Sequence, residues 1–428
     1  MCDYISGELI LCFPKVDSAA QQLIERIKKG LVGHVSHIES LEQKLARLGL
    51  KLDEKFEFDI HRVEVSVGEE LWKVTYLQFL YKHDLLHELS LGQISADFWA
   101  SLGKYNHHFT VTPNSVLSLT GRPLGKVSVQ AANFTFEPIH SKYKATLGLP
   151  SEPPENLDQV TIAILDSGIA DDIDFAISEK KNFVDPNSPQ AVTDENGHGT
   201  VIAQILHDIA PKANLIVYKV ADADGRVSEW DAIAALAAVN TQTQVVNLSL
   251  RFGLEDRVCK VCGRESHSSR STVFENVIEQ FANRKRQPVL VVAAGNDGLS
   301  DLDFPARFAS VLAIGAINSK CELSAESNYG NQYNDPAMPD NRFVSPGGDN
   351  TINPPETVGS FGLNDGLHWH GTSFAAAYAT GVVANLIAGQ DEEDIKYEAI
   401  LNTLRSNADS KTLTNYDPNK YGHGIIRL

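Results

Sequence analysis

From about residue 158 onward the apolar residues come in short runs, whereas in the first third of the chain they alternate with polar residues or recur at helical spacing. Val160-Thr161-Ile162-Ala163-Ile164-Leu165 and Val291-Val292-Ala293-Ala294 are runs of the first kind. A strand reads this way when both of its faces are covered, as in a parallel sheet between helices. Val201-Ile202-Ala203-Gln204-Ile205-Leu206 and the alanine-rich stretch from Phe374 to Ala388 predict buried helices, and Ser271 to Phe281 predicts another. Strands alternating with helices predict an α/β unit over residues 158–428, a parallel central sheet flanked by helices.

Residues 1–150 are patterned differently. Gly7 to Phe13 predicts a strand stopped by Pro14. Ala19 to Leu48 carries apolar residues at helical spacing, among them Leu23, Ile27, Leu31, Ile38, Leu41 and Leu45, interrupted at Gly30 and Gly33 into two helices. Lys51 to Ile60 and His61 to Val67 alternate as two strands, and Glu69 to Leu85 predicts a returning helix. That order predicts a smaller α+β domain ahead of the larger unit. Ser151-Glu152-Pro153-Pro154-Glu155-Asn156 predicts a linker, because paired prolines hold a chain extended and cannot join a sheet interior.

Chemistry-bearing residues sit where these elements end. Asp166, in Ile164-Leu165-Asp166-Ser167-Gly168, falls at the carboxyl end of a buried strand, where the functional groups of open α/β sheets collect. His198, in Asn196-Gly197-His198-Gly199-Thr200, and Ser373, in Gly371-Thr372-Ser373-Phe374-Ala375, each open a predicted helix. A hydroxyl there feels the positive end of the helix dipole, which favours negative charge developing beside it during attack. Asn296 ends a further strand in Ala293-Ala294-Gly295-Asn296-Asp297. Singly, each has an ordinary reading: an aspartate before Ser-Gly caps a turn, and most neutral imidazoles are structural. Nucleophile, base, orienter and amide donor together point to acyl transfer.

In these motifs and in the order Asp, His, Ser, the chain resembles the subtilisin-like (subtilase) serine proteases. The resemblance extends over roughly residues 158 to 428 and includes Val246-Asn247-Leu248-Ser249-Leu250, Phe304-Pro305-Ala306 and Tyr421-Gly422-His423-Gly424-Ile425. It implies that Ser373 is the nucleophile, His198 its base, Asp166 the orienter of His198, and Asn296 an oxyanion donor with the Ser373 N–H. It also implies that Ser249, Leu250 and Arg251, with Ala294 and Gly295, line the substrate strand, and that Asp303, just before Phe304, lies at the base of the primary specificity pocket. A carboxylate there would select Lys or Arg before the scissile bond, with Lys142 and Lys144 as candidate self-cleavage sites; the alternative is that Asp303 turns outward or caps an acidic loop. Two departures stand out. Phe374 and Ala377 replace the usual Met and Pro of the nucleophile helix, and Arg251-Phe252-Gly253 stands where paired glycines usually let a substrate backbone approach. By position, the first domain resembles the inhibitory propeptide of that family.

Composition narrows the partners. The chain has 428 residues and a net charge of −18. Its pI is near 5.2. That balance argues against nucleic acid and anionic membrane surfaces. No run reaches the roughly 18 apolar residues of a membrane span, and the first residues carry no signal-peptide pattern, so a cytoplasmic location is expected. Five scattered cysteines fit reduced thiols. Cys259-Lys260-Val261-Cys262 with His267 has the spacing of half a zinc site but lacks near ligands, and a solvated loop is the expectation. Asp222-Ala223-Asp224-Gly225 reads as a turn, since it lacks the remainder of a calcium loop. No cofactor is required; calcium is compatible with the resemblance.

The expected function is therefore serine endopeptidase action on a protein or peptide substrate, restrained by the N-terminal domain. Two alternatives stand beside it: an esterase or ligase using the same acyl-enzyme, and a latent interaction protein whose first domain docks a regulatory partner.

Overall fold

The computed structural model describes residues 4–13, 58–67, 70–79, 110–120, 130–252, 257–258, 265–266, 271–282, 284, 286–330, 341–361, 369–390 and 397–428. The chain divides into two compact units, Met1–Val116 with Glu255–Val277, and Leu117–Leu254 with Ile278–Leu428.

The first unit contains antiparallel strands β1 (Tyr4–Phe13), β2 (Phe58–Val67), β3 (Glu70–Phe79) and most of β4 (Thr110–Leu119). β1 pairs with β3 in a register that sets Ile10 opposite Tyr76, and with β4 so that Ile10 also faces Thr112. β2 pairs along its whole length with β3, Val67 opposite Glu70. Two expectations are corrected. The helix expected from Glu69 is strand β3, because Trp72, Val74, Thr75 and Tyr76 are aromatic or β-branched residues that favour a pleated surface over a helix. The break expected at Ile60 is absent: Phe58–Val67 pairs continuously with Glu70–Phe79 as one strand, although its apolar residues change face between Ile60 and Val63. The helices expected within 19–48 lie outside the described residues, as does Cys259-Lys260-Val261-Cys262 with His267.

The second unit is built on seven parallel strands: β5 (Thr161–Asp166), β6 (Glu179–Asn182), β7 (Asn214–Lys219), β8 (Val245–Leu248), β9 (Val289–Ala293), β10 (Leu312–Ile317) and β11 (Arg342–Pro346). Their spatial order is β11-β10-β9-β8-β5-β7-β6. The direction of winding reverses at β5, so the crevice beyond its carboxyl end lies at the topological switch point, the usual site of function in such sheets. Ile162, Ile164, Leu215, Val217, Val289 and Val291 form one core with helices α2 (His198–Ile209) and α5 (Thr372–Ala388); α1 (Ile139–Thr146) precedes them in the chain, and α3 (Glu229–Ala238) and α4 (Thr272–Ala282) come between them in sequence. The alternate residues Ala163, Leu165, Val246, Leu248, Leu290 and Val292 are also fully buried. Both faces are covered, as unbroken apolar runs require.

Helix α5 is buried on all sides except at Leu386, which is why its sequence shows alanine rather than an amphipathic stripe. It crosses α2 closely: a Cβ on Gly381 would lie 2.3 Å from Ile209 Cγ2, so only glycine fits that crossing. The segment read as a linker is partly structured, with a 3-10 turn over Glu155–Gln159 and Leu157 buried. Among the described residues no helix is long and apolar enough to cross a membrane.

Candidate active site

Three strand ends and two helix starts converge at the carboxyl edge of the sheet. Asp166 is the last residue of β5 and His198 the first of α2, and Nδ1 of His198 lies 2.8 Å from Asp166 Oδ1. Both side chains are fully buried. The amide of Ser167 donates to the same Asp166 oxygen at 2.8 Å, so the carboxylate is held by two partners. α2 starts at His198 because Asp194, itself buried, accepts from the Gly197 amide at 2.7 Å and from the Thr200 amide at 2.9 Å, satisfying amides that the first helical turn leaves without partners. No local pattern marks Asp194, because Gly197 holds the N-cap position and Asp194 reaches the helix start only through the fold of the loop before it. The imidazole packs against Phe374 and Trp369, with ring centroids 5.2 and 6.1 Å away. Its Nε2 is buried and has no hydrogen-bond partner among the described residues.

Ser373 is the second residue of α5, adjacent to the phenylalanine that packs on His198. Its hydroxyl is engaged by Thr120: it donates to the Thr120 carbonyl and lies 2.6 Å from Thr120 Oγ1. Asn296, beyond the end of β9, donates from Nδ2 to that same carbonyl at 2.6 Å. The orientation of the amide is fixed on its other side, where Oδ1 accepts from the backbone N–H and the hydroxyl of Thr372, both at 2.9 Å. A second chain of bonds sets the start of α5: Thr380 donates to Asn247, Asn247 to Ser249 at 3.0 Å, and Ser249 to the carbonyl of Ser373 at 3.2 Å. The partnership of Asn247 with Thr380 is not legible in the sequence, because a polar residue inside a buried strand and one inside a buried helix signal each other only once the two elements pack.

Residues Leu117 to Thr120 belong to this unit and lie along its edge as an added strand. Leu119 pairs antiparallel with Leu250, and Ser118 with Arg251. The Thr120 amide donates to the Ser249 carbonyl at 3.0 Å, and the Leu119 amide to the Gly225 carbonyl at 2.9 Å. Leu117, Leu119 and Thr120 are buried. An extended segment is thus held by main-chain bonds from both sides and ends with its carbonyl on Asn296 and Ser373, the arrangement by which a protein takes up a peptide as an extra strand. Ser249, Leu250 and Arg251 are the residues against which this segment pairs.

Asp303 is neither turned outward nor open to a ligand. Its side chain is fully buried and accepts from Arg251 Nη1 at 2.9 Å; Arg251 also pairs with Asp297. The Asp303 amide donates to the Ala294 carbonyl at 3.0 Å, which sets the residue directly behind Ala294 and Gly295. A Cβ on Gly295 would lie 2.2 Å from the carboxylate. Burial pushes the Asp303 carboxyl up to about 7, against the opposing pull of Arg251. Burial lowers the Arg251 guanidinium, but Asp303 and Asp297 outweigh it and the net direction is upward. Lys142 and Lys144, the candidate cleavage sites that went with a basic preference, lie in helix α1, where Lys144 pairs with Asp208 at 2.8 Å. A helical segment cannot form the extended ladder seen at Leu119.

Asp222 closes a turn, its carboxylate accepting from the amides of Asp224 at 3.0 Å and Arg226 at 2.8 Å. No group of three or more His, Cys, Asp or Glu among the described residues could hold a metal ion.

A buried imidazole–carboxylate pair beside a serine that opens a helix, with an amide donor aimed at a carbonyl, has the parts for acyl transfer through a serine, and the sheet that carries it is that of the serine proteases with parallel α/β architecture. A sequence model of the subtilase family matches residues 158–424, and the chain belongs to that family as a subtilisin-like serine endopeptidase. It is 30% identical to subtilisin BL of Lederbergia lenta over 283 residues, 62% of this chain and 88% of that protein. It is 27% identical to a thermostable alkaline protease of Halalkalibacterium halodurans over 278 residues, 62% of this chain and 65% of that protein. The fold is similar to the crystal structure of the epidermin leader peptide processing serine protease of Staphylococcus aureus, with a TM-score of 0.59 and 18% identity, over 98% of this chain and 97% of that one.

Proposed function

We propose that this chain hydrolyses peptide bonds through Ser373, His198 and Asp166, and that its own segment Leu117–Thr120 restrains it by occupying the cleft. The observation that carries the reading is the Thr120 carbonyl, which accepts from Asn296 Nδ2 at 2.6 Å while Ser373 Oγ lies against it. In this reading it is the scissile carbonyl: Asn296 is the donor that receives developing oxyanion charge, and Ser373 is the nucleophile in reach. Ser373 Oγ bonds to the carbonyl carbon, and its proton passes to His198 Nε2, which is buried and holds no hydrogen bond to Ser373 or to any other described residue while the hydroxyl is engaged by Thr120. Asp166 holds the opposite ring nitrogen and stabilises the imidazolium. The C–N bond then breaks as His198 returns the proton to the leaving amine. Water, giving a proton to His198, attacks the resulting ester, and the carboxylate and the Ser373 hydroxyl are restored.

The first bond open to this chemistry is the chain's own, following Thr120. Cleavage there would leave the new carboxyl terminus paired to Leu250 and Arg251 until it dissociates. Intact-mass measurement on purified full chain tests both parts: the wild type should be cut after Thr120 and Ser373→Ala should stay whole. A wild type that remains uncut and inert towards casein would refute the assignment.

A further inference from the structure

The Arg251–Asp303 ion pair bridges the two walls that flank the docked segment. One wall is Ser249–Arg251, which pairs with residues 118 and 119 and accepts the Thr120 amide. The other is Ala294–Asn296, which binds the Thr120 carbonyl through Asn296 and has Asp303 packed behind Gly295. Arg251 starts on the first wall and ends on carboxylates behind and beyond the second, Asp303 and Asp297. Its guanidinium therefore crosses the space into which the side chain of the residue before the scissile bond would have to extend. Thr120, the residue that sits there, is short, and its hydroxyl stays near the backbone, donating to the Ser249 carbonyl at 3.2 Å.

Resting on the proposed endopeptidase reading, we infer that Arg251 is a specificity-determining residue: it fills the primary pocket as an internal counterion of Asp303, so that the protease selects a small side chain such as Thr before the scissile bond and rejects Lys and Arg. A substrate guanidinium would have to displace Arg251 from two carboxylates, or else lie unpaired beside another cation in a buried space. Either costs on the order of 10²-fold in rate, the scale of an uncompensated buried charge. The acidic floor that alone would favour basic substrates is already paired within the chain through Asp303 Oδ2, its other oxygen having no hydrogen-bond partner among the described residues. Removal of the guanidinium should expose it.

Self-cleavage of the full chain provides the test, because the residue before the scissile bond can be replaced in place. Thr120→Arg should slow cleavage after residue 120 on the order of 10²-fold in the otherwise native chain, whereas Thr120→Ala should stay within about tenfold of it. In an Arg251→Ala background the order should invert, with the Thr120→Arg chain cut faster than the chain that keeps Thr120. Adding Asp303→Asn to that background should abolish the gain. Arg251→Gly serves as a second opening variant, and thermal melting of each variant in the Ser373→Ala form checks that it folds. Efficient cutting of Thr120→Arg in the native chain, or an unchanged Arg-to-Thr ratio in both folded Arg251 variants, overturns the inference while leaving the endopeptidase reading in place. A native chain that cuts neither itself nor casein overturns that reading, and the inference falls with it.

Discussion

Asn296 and Thr120 are 176 residues apart in the chain, yet the Asn296 amide meets the Thr120 carbonyl at 2.6 Å with its other end clamped by Thr372. A donor oriented before the reaction needs no reorganisation during it, which is where electrostatic stabilisation has its value. Asn296→Ala should lower the rate of self-cleavage on the order of 10²–10³-fold and leave residual activity, since the backbone N–H of Ser373 offers a second donor. Ser373→Ala and His198→Ala should each remove nearly all of it, because nucleophile and base act as a unit. Single-turnover mass spectrometry of the three variants checks the ranking. Equal losses in all three would show that Asn296 does more than donate one bond.

The docked segment depends on main-chain bonds more than on side-chain identity. Leu119→Pro would remove the donor to the Gly225 carbonyl and should slow cleavage after Thr120 on the order of tenfold, the worth of one lost hydrogen bond with its partner left unsatisfied. The same variant should raise turnover of an added casein substrate, because a segment held less tightly vacates the cleft more often. Both rates can be read from one time course.

The sheet and the chemistry at its edge were legible because each depends on local pattern. Apolar runs such as Ile162 to Leu165 announce burial on both faces, and Asp166, His198 and Ser373 sit at element ends marked by glycine or a change of period. Thr120 carried no such mark. Its role arises when residues 117–120 pair with a strand about 130 positions later, and a short alternation such as Leu117-Ser118-Leu119 does not name its partner. Arg251 was visible as a departure from the glycines expected there, but the direction of a long side chain is settled by the carboxylates it meets. Asp303 shows the same limit: sequence placed it at the pocket floor or on a wet loop, and the burial that decides the matter comes from Ala294, Gly295 and Arg251. The strand over Glu70–Phe79 reads as helix in the sequence because apolar positions in so short a stretch fit both periods.

His140 links α1 to α5. Its ring lies against Tyr378 of α5, with Nδ1 on the tyrosine hydroxyl and Nε2 at 2.7 Å from Asp208. Tyr378 is fully buried, so His140→Ala would leave its hydroxyl without a partner, at a cost of about 1–3 kcal/mol. Adding Tyr378→Phe removes the orphaned group and should recover part of that loss. Urea melts in the Ser373→Ala background, which prevents self-digestion, measure both. If the double variant is as unstable as the sum of the single ones, the two residues are not coupled.

Asp303 should make the fold less stable as pH rises towards neutrality. Its carboxyl titrates at about 7 in the folded chain against 3.8 as the ordinary value, raised first by burial and further by Asp297 and Asp301, with Arg251 opposing. Between those two values the folded state holds a proton that the unfolded state has released. Stability contributed by this group is therefore greatest below about pH 4 and declines as pH rises through the interval to about 7, where the buried carboxylate must ionise. Asp208 acts in the opposite sense and lower: burial would raise it, but bonds from His140 and Lys144 bring it down to about 2, so its contribution is kept above about pH 4 and lost as pH falls further. The two effects occupy separate windows and can be told apart. In the Ser373→Ala background, Asp303→Asn should flatten the fall in melting temperature between about pH 4.5 and pH 7, since the amide cannot ionise and can still accept a bond from Arg251. A fall of the same size with and without Asp303 would mean that its charge is fully compensated by Arg251 across that range, and the observed slope would have to come from another group.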